Sequence, residues 1–149
     1  MKKINILLPA AFEALKNSGL VKNNSISKEY DGYVAAFGPS VRTAGLLVTL
    51  AFFSDGGRES REGKTKRVHV LNILRDIYKK KNILGTGING EDLLKIALDI
   101  NRTQSELYKL KLDLIDCATA LKLVMRNYNQ VENASKTDKS ENTQPNTQP

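Results

Sequence analysis

The stretch TQSELYKLKLDLIDCATALKLVMRNY, residues 103–128, sets the architecture of this chain. Thr103-Gln104-Ser105-Glu106 has the spacing of a capping box, in which a Thr hydroxyl and a Glu carboxylate satisfy the orphan amides at a helix start. From there Leu107, Leu110, Leu114, Cys117, Leu121, Val124 and Tyr128 advance by alternating steps of three and four. Those steps put all seven on one stripe of a long helix. Such a heptad seam must be covered by partner helices along its length.

The rest of the chain offers those partners. A first helix is expected from Asn5 or Pro9 to Ser18, with Ile4, Leu8, Ala11 and Leu15 on one face and Gly19 just past its end. A second is expected over residues 27–37, capped by Ser25 or Ser27 and ended by Gly38-Pro39. Pro39 suits the first turn of a third helix that runs to Phe53. That third helix is apolar nearly all round, which predicts the central, buried position. Gly45 inside it implies a close helix contact. After a polar loop, residues 66–80 form a fourth helix with Val68, Leu71, Leu74 and Tyr78 on one face, and residues 91–100 a fifth. No run alternates as a strand would. The expected fold is all-α, a single compact bundle of about five to seven helices over residues 1–129. Residues 130–149 are rich in Asn, Gln, Thr, Ser and Pro, with Val131 their one sizeable apolar residue. They cannot repay their ordering entropy, so a disordered tail is expected.

Charge is concentrated. Of the net +7 on 149 residues, residues 58–81 supply +6, with 9 basic groups against 3 acidic. They are Arg58, Arg61, Lys64, Lys66, Arg67, Arg75, Lys79, Lys80 and Lys81. Clustered cations suit a phosphate-backbone partner, although a solvated surface also explains them.

Other function classes find little support. One Cys excludes a disulfide framework and a Cys-based zinc site, and one His leaves little for a histidine-centred cluster. Asp55, Asp76, Asp99, Asp113 and Asp116 lack metal-ligand spacing, so neither metal, cofactor nor catalysis is expected. His69 has no nucleophile or paired carboxylate nearby in sequence and reads as a structural or RNA-contacting residue. Gly85-Thr86-Gly87-Ile88-Asn89-Gly90 matches a dinucleotide fingerprint in letters, yet no strand precedes it and an interhelix loop explains it better. Residues 93–110 have a helix-turn-helix look, with Thr103, Gln104 and Ser105 opening the second helix, so a DNA-binding regulator stays open as an alternative. The Met1-Lys2-Lys3 start has too short an apolar run for a signal peptide, and no stretch is long enough to span a bilayer. A cytoplasmic location is expected, with no membrane partner.

The order of segments carries a resemblance. Lys28-Glu29-Tyr30 is followed by Phe37-Gly38-Pro39-Ser40-Val41-Arg42-Thr43-Ala44-Gly45-Leu46 and then Leu50-Ala51-Phe52-Phe53. A basic loop, a helix and Glu91-Asp92-Leu93-Leu94 come next, and Leu123-Val124-Met125-Arg126-Asn127-Tyr128 closes the last helix. Over about residues 26–128 this resembles the small helical subunit of type III-B CRISPR (Cmr) RNA-guided effector complexes. The type III-A (Csm) small subunit is a close relative in role. The chain departs in lacking Trp, with Leu123 where one is common, and in having Ala44 where Asn is common. The resemblance implies a non-catalytic subunit that stacks in copies beside the repeated backbone subunit and near the large subunit. It implies a groove along the guide RNA–target RNA duplex and a basic face on the target strand. Arg42 matches the family's basic residue before Gly-Leu, and Arg126 matches its closing basic pair, with a subunit contact as the alternative role for Arg126. Lys64, Lys66, Arg67, Lys79, Lys80 and Lys81 join them as candidates from composition alone.

Overall fold

The structure is a computed structural model and describes residues 2–55, 61–81, 93–99 and 103–131; the side chains of residues 2, 3, 55, 61–66 and 81 lie outside that description. The glycine-rich segment 85–90 and the tail from 132 onward fall outside it too. Among the described residues, six helices and two short strands follow in the order α1 (Lys2–Asn17), β1 (Ser25–Ser27), α2 (Lys28–Ala44), α3 (Leu46–Asp55), α4 (Arg61–Lys81), α5 (Leu93–Leu98), α6 (Gln104–Met125) and β2 (Asn129–Val131). The fold is the expected all-α bundle.

The seam of α6 forms the centre. Leu110, Leu114, Cys117, Leu121 and Val124 are buried, and Leu107 and Tyr128 pack partly against them. α6 lies against α1, α2 and α4. Its start is the predicted capping box: the Glu106 amide donates to Thr103 Oγ1 at 3.1 Å, and Glu106 Oε1 accepts from the Thr103 amide at 3.4 Å.

The second and third helices differ from expectation. Gly38-Pro39 does not end a helix, because α2 runs through it to Ala44. Pro39 removes one amide donor, but Ala35, whose carbonyl loses that partner, and Pro39 both lie on the exposed side. Burial of Phe37, Gly38 and Val41 on the other side holds the helix together. The break comes at Gly45, with φ 95 and ψ 162, a backbone region open almost only to glycine. No atom would lie within 4 Å of a Cβ there, so Gly45 serves a turn and not a close helix contact. α3 then folds back on α2, with Phe37 and Phe53 edge to face at 5.5 Å. It is a peripheral helix, not the central one: Val48 and Phe52 are 59% and 52% exposed. Pro9 is similarly accommodated inside α1, and α4 begins at Arg61, within the stretch expected as a loop.

A small parallel sheet departs from the expectation of no strands. β1 pairs with β2 in the register Ser25↔Asn129, Ile26↔Gln130, Ser27↔Val131. Ile26 anchors it in the core, and Asn23 and Asn24 take positive φ in the tight turn before it. β2 takes in Gln130 and Val131, two residues beyond the expected start of the tail.

Candidate nucleic-acid interface

Helix directions fix where the cations stand. β1 leads into α2 and β2 follows α6, so α2 and α6 are antiparallel, and Lys122 Nζ meets Asp31 Oδ2 at 2.7 Å near that end. α4 is also antiparallel to α2, since Tyr30 stacks on His69 (6.5 Å between centroids) and Tyr33 faces Arg67. α1 runs alongside α4, with Glu13 near its end joined to Lys80 near the end of α4. From His69 to Lys80 is 11 residues, about 16 Å of helix, directed toward the β1–β2 end. From Tyr30 to Arg42 is a similar rise in the opposite direction.

The sequence candidates whose side chains are described therefore do not converge on one patch. Lys79, Lys80 and Arg126 lie toward the β1–β2 end. Arg42, exposed in the last turn of α2, lies at the other. Lys64, Lys66 and Lys81 belong to α4 by backbone, and their side chains lie outside the described residues. Arg126 is exposed at the C-cap of α6.

Arg67 departs most from a surface role. It is 4% exposed, with its guanidinium 4.6 Å from the Phe52 ring and 5.8 Å from the Tyr33 ring. Cation–π contacts of this kind tie α4 to α3 and α2. His69, next on the same stretch, stacks on Tyr30 with its Nδ1 closed off from solvent. Arg75 pairs with its neighbour Asp76 at 3.4 Å.

A groove of about 330 Å³ runs between α1 and α4, lined by Glu13, Ala14, Asn17, Asp76, Lys79 and Lys80. Sequence reasoning found its lysines through composition but missed Glu13 and Asn17, which come from a distant helix. Glu13 and Asn17 sit four apart on α1, and Asp76 and Lys80 four apart on α4, so each pair shares a helix face.

Neither the helix-turn-helix reading nor a reactive thiol gains from the geometry. Glu106, at the expected reading end of α6, is folded back to cap its own helix, and α5 buries Leu93, Ile96 and Ala97. Burial, reinforced by the negative charges of Asp113 and Asp116, pushes the Cys117 thiol up to about 12, so it stays protonated at neutral pH. Among the described residues no three His, Cys, Asp or Glu side chains are grouped to hold a metal, and no helix is long and apolar enough to cross a membrane.

No curated protein and no solved structure matches the chain. A protein-family model does. The CRISPR-associated protein (Cas_Cmr5) model matches residues 10–122, which include Tyr30, the Pro39–Leu46 segment around the Gly45 turn and most of α6. The closing residues 123–128 lie past the match. With residues 10–122 of its 149 matched, the chain belongs to the Cas_Cmr5 family, the small structural subunit of type III-B CRISPR (Cmr) effector complexes.

Proposed function

We propose that this chain is the non-catalytic, RNA-holding small subunit of its effector complex, acting in cytoplasmic antiviral defence. Copies stack along the guide RNA–target RNA duplex, beside the repeated backbone subunit and the large subunit. They hold the target strand through the cations of α4 and the bundle ends. Guide pairing supplies sequence in such a complex, so the protein needs only to read backbone and shape. The observation that carries this reading is the concentration of the basic excess on one helix, α4, of a Cas_Cmr5 chain. The contacts assigned are Arg42, Lys64, Lys66, Lys79, Lys80, Lys81 and Arg126. Arg67, buried under Phe52, holds α3 in place. The outward apolar side chains Val48 and Phe52 of α3 and Ile6 and Phe12 of α1 suit contacts with neighbouring subunits.

The test replaces Lys79, Lys80 and Lys81 together by Ala in the assembled complex. Target-RNA capture weakens, alike for unrelated target sequences. The slope of log affinity against log salt flattens by about 2, as three phosphate contacts on a single strand require. A loss that depends on sequence, or no loss at low salt, overturns the reading.

A further inference from the structure

One cation assigned to the target strand, Lys80, is not free in the folded chain. Lys80 Nζ is paired with Glu13 Oε2 across the α1–α4 groove, and both side chains are about half exposed, 47% and 55%. Asp76 stands one turn before Lys80 on the same face and lines the same groove with Lys79. Two carboxylates thus face two ammonium groups, and the groove carries no formal net charge. Of the +6 that residues 58–81 carry in sequence, Glu13 of another helix offsets one charge here.

We infer that Glu13 is an internal competitor for the RNA phosphate at Lys80, so that the strand must displace it to bind. This rests on the proposed RNA-holding role of α4. Glu13 does not touch RNA in this arrangement. It sets how much of Lys80's charge a phosphate can reach. An exposed ion pair is weak enough to exchange, since such pairs are screened and compete with water. A phosphate arriving with others along a strand gains counterion release that a lone carboxylate lacks. The result is capture that is weaker and more readily reversed than the count of lysines suggests.

The experiment measures capture of labelled target RNA by the assembled complex carrying the full chain as Glu13→Gln, Lys80→Gln, or both. Glu13→Gln is expected to tighten capture about two- to fivefold at low salt, the scale of one exposed charge pair, and to steepen the salt slope by a fraction of one phosphate contact, less than about 0.7. In the Lys80→Gln background the same change should do little, because its effect passes through Lys80. Unchanged capture by Glu13→Gln, while Lys80→Gln weakens it, overturns the competition and leaves the RNA-holding role standing. An equal gain in both backgrounds also overturns it, since the effect is then one of overall charge. No response to either substitution removes both this inference and the role of Lys80. Circular dichroism of each variant confirms the helical fold, which an exposed pair should not alter.

Discussion

α6 and α3 are both apolar helices, yet they occupy opposite places. α6 carries Lys, Glu and Asp along its length and is the centre of the bundle; α3 has one charged residue, Asp55, at its end and lies at the edge. Periodicity explains the inversion. The charges of α6 fall between the seam positions, so the helix can be covered on three sides while its polar groups reach water. α3 buries Leu46, Thr49, Leu50 and Phe53 and leaves Leu47, Val48 and Phe52 outward. Uniform apolarity therefore does not place a helix at the centre: α3 buries one face and leaves the other exposed.

The largest effect should come from the seam. Leu121 is fully buried, and Leu121→Ala is expected to lower unfolding free energy by about 2–5 kcal/mol in urea denaturation with an unchanged m value. A loss under about 1 kcal/mol would show the centre is not closely packed and would remove the contrast with α3. The turn that makes α3 a separate helix comes next. Gly45→Ala has room for its methyl but not for its φ of 95, and a cost of roughly 1–3 kcal/mol should appear in the same measurement. A neutral result would mean that α2 can continue straight into α3. The smallest stability effect belongs to the outer face of α3. Val48→Ser should stay within about 0.5 kcal/mol of the parent while co-purification of other effector subunits falls. Destabilisation comparable to Leu121→Ala would instead place Val48 in the core of the isolated chain.

What could be read from the sequence follows the range of the interaction. The capping box and seam of α6 depend on residues three or four apart, so both are legible locally. The end of α2 is not legible at Gly38-Pro39, because the cost of Pro39 is reduced where the freed carbonyl of Ala35 can reach water, and that depends on which side of the helix faces the bundle. Likewise β1 and β2 are three residues each, too short for an alternating pattern, and they pair across nearly the whole chain. At the candidate interface, cation positions are legible from composition. Their partners are not: Glu13 reaches Lys80, and Phe52 covers Arg67, only after the helices pack.

The placement of Cys117 bears on how the protein withstands oxidants. It is the single thiol of the chain, and it lies buried within the α6 seam, protonated. Oxidation and disulfide exchange both need an accessible thiolate. Two copies of the chain thus cannot be cross-linked through Cys117 unless the bundle opens, and the rate of Cys117 modification becomes a clock for that opening.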